Sequence, residues 1–131
     1  HIYLSSFREQ RGMLHTVVKV DYRKLNIINV HLGLDNEERE IQMRELLDFI
    51  KKLGDEPYIV VGDFNQGGVT VDDDILKDVA KELGKANILT FPTGLDRIDY
   101  IFVSSNVEVI DYDVLIKDMS DHYPIFAKIK I

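Results

Sequence analysis

Leu25-Asn26-Ile27-Ile28-Asn29-Val30-His31-Leu32 carries apolar side chains on both parities of an extended chain, with Leu25 and Ile27 on one and Ile28, Val30 and Leu32 on the other. Successive side chains of a strand point to opposite faces, so a strand that is apolar on both parities is covered on both faces. His31 falls near the end of this stretch, on the parity of Leu25, Ile27 and Asn29. Met13 to Val20 also reads as a strand, with Asp21 to Lys24 as the hairpin between the two.

Downstream, Glu37 to Leu53 is the strongest helical stretch, because Met43, Leu46, Leu47, Ile50 and Leu53 follow helical spacing. Asp35 or Asn36 can cap its start and Gly54 fits just past its end. Tyr58 to Val61 is a short apolar strand running into Gly62. A second helix is expected over Asp72 to Leu83, with Ile75, Leu76, Val79, Ala80 and Leu83 on one face and three leading aspartates at the positive end of its dipole. Strands are expected over Ala86 to Phe91, Arg97 to Ser104, Val107 to Ile116 and Pro124 to Ile131, the last alternating cleanly. Runs of adjacent strands with only two helices indicate an α+β domain, largely antiparallel, with the helices on the outer face.

The length of 131 residues fits one domain, and 45% apolar with 30% charged residues is ordinary for a globular one. No apolar run approaches the ~18 residues of a membrane span, and the first residues lack the basic and apolar regions of a signal peptide. The chain has no cysteine, which removes disulfide scaffolds, cysteine-based zinc sites and thiol nucleophiles; a cytoplasmic setting is the simplest expectation. The net charge of −7 argues against electrostatic capture of DNA as the main task. A nuclease is still compatible with it, and an acidic site suits a divalent cation.

Four short stretches place polar residues at the ends of apolar strands: Asn29-Val30-His31-Leu32, Gly62-Asp63-Phe64-Asn65, Asp96-Arg97-Ile98-Asp99-Tyr100-Ile101-Phe102 and Ser120-Asp121-His122-Tyr123-Pro124. Asp63 and Asn65, two apart in extended backbone, would point the same way with Phe64 opposite, and such a pair can share a hard cation or hold a water. Asp121 and His122 can divide tasks, the carboxylate on a metal and the imidazole on a phosphate or a proton. Asp99 opens an apolar strand and needs a partner, either Arg97, a metal or a histidine. Each stretch alone also reads as a polar turn, a structural ion pair or a core histidine. As a set, His31, Asp63, Asn65, Asp99, Asp121 and His122 supply the inventory for metal-assisted hydrolysis of a phosphoester.

These four stretches, in this order, resemble the later motifs of the endonuclease/exonuclease/phosphatase (DNase I-like) superfamily over about Leu4 to Ile131, and Thr90-Phe91-Pro92 resembles its small bacterial and archaeal hydrolases. The resemblance implies part of a four-layer α/β/β/α sandwich and hydrolysis of a phosphodiester assisted by Mg2+ or Mn2+. It assigns Asp63 to the attacking water, Asn65 to the water or phosphate, Asp121 to the metal and His122 and His31 to the phosphate. Asp99 fixes the His122 ring, and Asp63 and Asn65 join Asp121 as metal ligands. The family's opening strands, with an Asn and a Gln-Glu motif whose Glu binds Mg2+, have no counterpart before Leu4. The expectation is therefore a single domain, 1–131, equivalent to the later part of such a domain, weak in metal binding and activity by itself. Its second sheet face would be a large apolar patch, covered by self-association or by the opening segment. The substrate class is left open between nucleic acid, phospholipid and small phosphodiesters, with selection in loops 66–70, 32–38 and 117–120. The alternatives are a non-catalytic domain that binds a phosphate ligand or a partner chain, and an unrelated α+β domain with polar turns.

Overall fold

A computed structural model describes residues 1–94 and 96–131. Strand β3 (Arg23–His31) lies between two neighbours of opposite kind. Strand β2 (Arg11–Val20) pairs with it antiparallel, and Asp21 and Tyr22 between them both have positive φ, 48° and 66°. That two-residue geometry matches the twist of the flanking strands. On the other side β4 (Tyr58–Asp63) runs parallel to β3. A parallel pair needs a crossover, which helix α1 (Asn36–Lys51) provides. The side chain of Asp35 caps α1 by accepting the amides of Glu37 and Glu38.

The remaining strands extend this arrangement. At one edge β1 (Ile2–Leu4) pairs with β2, and beyond β4 come β6 (Asp99–Val103) and a two-residue β5 (Lys77–Asp78). The sheet order is β1-β2-β3-β4-β6-β5, mixed but mainly antiparallel. Strands β7 (Glu108–Val114) and β8 (Ile125–Lys130) form a separate hairpin with a bulge between Val109 and Asp111. The class is α+β, as expected.

Two cores sandwich the sheet. On one face Leu46 and Ile50 of α1 pack on Ile28, Val30, Val60, Tyr100 and Phe102. On the other, Ile101 and Val103 pack against Tyr112 and Val114 of the hairpin. The expected open apolar face is therefore narrower than a whole sheet face, because the hairpin covers its β4–β6 half. Leu14, Thr16 and Asn29 are exposed on the β2–β3 half.

Two expected elements differ. The helix over Asp72 to Leu83 shrinks to one turn, α2 (Val79–Glu82), and packs in the hairpin-side core instead of beside α1. Lys77 and Asp78 pair instead with Val103 and Phe102, and Asp78 accepts both terminal nitrogens of Arg97 at 2.9 and 2.6 Å while capping α2. The tertiary ion pair overrides a helical period that the sequence does carry. The stretch Ala86 to Phe91 is turns and irregular chain, not a strand.

Asp78 and Arg97 are both buried, with side chains 8% exposed. Breaking such a pair leaves one buried charge without a counterpart. Arg97→Ala or Asp78→Ala should each destabilise by about 3–5 kcal/mol in denaturant unfolding. A cost near that of a surface pair, under about 1 kcal/mol, would contradict this assignment of the pair to the core.

Candidate active site

Sheet register makes the site. In the parallel β3–β4 pair His31 lies opposite Asp63, and in the antiparallel β4–β6 pair Asp63 lies opposite Asp99. Paired residues of adjacent strands share a face, so three chemically active side chains form one row across the central strands. The row ends on the hairpin side of the sheet. There the turn before β8 brings in His122, whose Nδ1 lies 2.7 Å from Asp99 Oδ2. Asp63 Oδ2 stands 3.4 Å from His31 Nε2 and 3.6 Å from His122 Nε2.

Gly62 lets β3 and β4 approach closely enough for this. It has φ 144°, and a Cβ there would sit 1.8 Å from the Val30 carbonyl oxygen. Phe64, on the far side of Asp63, is buried against Tyr100 and Phe102 and anchors the strand end in the α1-side core.

Asn65 is held differently from the extended arrangement expected of it. Its φ is 49°, its amide donates to Asp63 Oδ1 at 2.8 Å, and its side-chain nitrogen donates to the Leu32 carbonyl at 2.7 Å. The left-handed turn, which asparagine tolerates, closes an Asx turn on Asp63 and ties it to the end of β3. Asp121 is exposed, with its Oδ1 accepting from Ser120 at 3.0 Å. Among the described residues, the side chains close enough together to share a metal are Asp63, Asp99 and His122, with donor atoms all within 4.8 Å of one another. Asn65 is tied to that group through Asp63, and Asp121 lies outside it, next to His122 in the chain.

The choice of partner for Asp99 is settled by geometry. Arg97 turns to Asp78 and lies over the Tyr100 ring at 4.3 Å, which leaves Asp99 to His122. Phe91, which had no role in the sequence reading, packs its ring against that of His122 at 5.0 Å between centroids. The only signal for it was its place in Thr90-Phe91-Pro92. A cleft of about 310 Å3 lined by Asn29, Asp99, Tyr123 and Ile125 borders the row. A larger one, about 650 Å3, lies on the α1 side along Met43, Leu47 and Val69.

Burial pushes the Asp63 carboxyl up, and Asp99 adds to this. The Asn65 amide and the two imidazoles oppose the shift without cancelling it. For His122, burial pulls downward, but the hydrogen bond and charge of Asp99, then the charges of Asp63 and Asp121, leave its pKa raised. The site thus couples a carboxylate made more basic than usual to an imidazole that holds its proton longer than usual.

The sequence profile of the Endonuclease/Exonuclease/phosphatase family matches residues 5–122. The chain belongs to that family. It is 27% identical over 136 residues to the uncharacterized protein YbhP of Escherichia coli K12, covering 94% of this chain and 54% of the relative. It is 25% identical over 168 residues to a phospholipase C of Staphylococcus aureus, covering 89% of this chain and 50% of that protein. The chain therefore spans about half the length of the curated relatives it matches. A humanized D. rerio TDP2 superimposes with a TM-score of 0.81 at 22% identity, over 98% of this chain and 65% of that one. The last likeness establishes the DNase I-like fold. Among the described residues no helix is long and apolar enough to cross a membrane.

The raised pKa of His122 gives a pH test. A histidine whose folded pKa exceeds its unfolded value contributes stability that is complete below the unfolded value and is lost as pH rises through the folded one. In metal-free protein, NMR titration should place His122 above an ordinary histidine, and Asp99→Asn should lower its midpoint and remove the associated pH dependence of stability. An unchanged His122 midpoint in Asp99→Asn would contradict the pairing.

Proposed function

We propose that the chain carries the catalytic row of a divalent-cation-dependent phosphoester hydrolase in which water attacks phosphorus. The observation that carries this reading is the continuous line of groups from Asp99 through His122 to Asp63 and His31 at one edge of the sheet. Family membership and the phospholipase C relative agree with it.

The geometry is in keeping with the roles that the family resemblance implies. Asp99 occupies His122 Nδ1, so Nε2 is the nitrogen turned toward Asp63 and the one that would meet a phosphate. With its proton retained, His122 donates to a phosphoryl oxygen where charge grows. His31 donates from the other side of Asp63. Asp63, with its basicity raised by burial, takes the proton of the water as the new P–O bond forms and the ester P–O bond breaks. The donor set fits a hard cation, because carboxylate and carboxamide oxygens dominate it and Mg2+ keeps several waters of its own. As the family resemblance implies, Asp63, Asn65 and Asp121 would hold Mg2+ or Mn2+, which supplies Lewis-acid stabilisation of the phosphoryl charge when bound; of these three, Asp63 belongs to the group whose donor atoms lie within 4.8 Å of one another.

Exposed Leu14 and Thr16 mark where a second sheet would complete the sandwich, supplied by a second copy or by further chain of the same protein. Light scattering at micromolar concentration should show association of these 131 residues, reduced by Leu14→Asp. A monomer with this strip solvent-accessible would contradict the pairing.

Turnover of a generic phosphodiester by the assembled protein, with the second sheet in place, should require Mg2+ or Mn2+ and stop on chelation. Asp63→Asn and His122→Ala should each lower kcat by about 10²–10⁴-fold with little loss of stability. Near-native turnover by either variant would overturn the assignment.

A further inference from the structure

Thr90 belongs to irregular chain, yet it is fully buried. A buried hydroxyl outside any ladder needs partners, and those of Thr90 converge on the two segments that carry Asp99 and His122. Its Oγ1 accepts the backbone amides of Ile98 at 3.2 Å and Asp99 at 3.1 Å. Its own carbonyl accepts the amide of Tyr123, the residue after His122, at 2.7 Å. The next residue, Phe91, lays its ring against His122.

The need for such a group is visible in the sheet. Strand β5 pairs with β6 only at Phe102 and Val103, so it stops short of Asp99. The edge of β6 opposite β4 would otherwise leave the Asp99 amide without a strand partner where the carboxylate must be aimed. The Thr90 hydroxyl takes the place of the missing strand. His122 belongs to a turn outside the six-stranded sheet, and its 2.7 Å contact with Asp99 links residues 23 apart in the chain. A single buried residue thus holds the backbone of both partners, one through its side chain and one through its main chain.

We propose that Thr90 is the positioning residue of the Asp99–His122 pair, its hydroxyl setting the Asp99 backbone while its carbonyl sets the His122 turn. The inference deepens the hydrolase reading and rests on it for its catalytic consequence, whereas the geometric part stands independently. The hydrogen bonds of Thr90 run to the backbone amides of Ile98, Asp99 and Tyr123, not to the side chains of the row. Its effect is transmitted through the aim of Asp99, and a small misplacement of a catalytic group costs about 10²-fold in rate.

The test compares Thr90→Val, which removes the hydroxyl at nearly constant shape, with Thr90→Ser, which keeps it. Three readouts are taken: on metal-free protein, the NMR signal of the His122 ring proton hydrogen-bonded to Asp99 and hydrogen exchange of the Asp99 amide, and on Mg2+-loaded protein, steady-state hydrolysis of a generic phosphodiester. Thr90→Val should lose or broaden the ring-proton signal, speed hydrogen exchange of the Asp99 amide, and lower kcat about 10²-fold with KM little changed. Thr90→Ser should keep the signal and recover most of the turnover. Should Thr90→Val fail to fold, Thr90→Ala is set against Thr90→Ser, since these two differ by the hydroxyl alone. A folded hydroxyl-free variant that keeps the ring-proton signal and its kcat overturns the proposal, as does a folded Thr90→Ser that loses both. Loss of the signal in Thr90→Val with turnover unchanged supports Thr90 as the clamp and counts against the catalytic role of the pair instead.

Discussion

Everything at the site depends on one constraint: the register that sets His31, Asp63 and Asp99 side by side on the central strands. Pairing register is a two-residue periodicity, so a slip of one position would send all three to the opposite face, into the core beneath α1. The apolar residues fix that register. Ile28, Val30, Val60, Tyr100 and Phe102 must lie under α1, and their alternation obliges the active side chains to point the other way. The row proposed as catalytic is a by-product of core packing, which is why a rigid edge of sheet can display it.

The second half of the site arrives from outside this sheet. The β7–β8 hairpin is held through Tyr112 and Val114 on Ile101 and Val103, and its packing delivers the turn with His122 to Asp99. The hairpin does two things at once. It covers the apolar half-face of β4 and β6, and it closes the row of polar groups with an imidazole whose orientation is fixed by a carboxylate. Such a carboxylate–imidazole arrangement selects the tautomer as well as the direction of the ring.

Much of this was legible in the sequence. The double parity of Leu25–Leu32, the helical period of Glu37–Leu53 and the alternation of Ile125–Lys130 are local signals, and local structure obeys them. The four polar stretches at strand ends contain His31, Asp63, Asp99 and His122, which the fold brings together. What escaped depends on distant partners. Asp72–Leu83 has a genuine helical pattern, but Arg97 draws Asp78 into a buried pair and most of the helix is lost. The same arginine was one of three possible partners for Asp99, and nothing within the strand says that it turns to Asp78. For Asn65 the sequence left an extended arrangement and a polar turn both open, and the fold takes the turn, closed by the Asp63 carboxylate and the Leu32 carbonyl. Phe91 and Thr90 were visible only as part of a resemblance, since their partners lie in β6 and in the turn before β8.

The cation and phosphate site proposed for this row lies at the hairpin side of the sheet edge. Substoichiometric Mn2+ added to the protein tests it directly, because paramagnetic broadening reports proximity without requiring turnover. The four histidines provide the internal comparison. Broadening should begin at His122 and His31, spare His1 and His15, and diminish in Asp63→Asn. Equal broadening at all four, or broadening centred on His15 beneath α1, would contradict a cation site at Asp63.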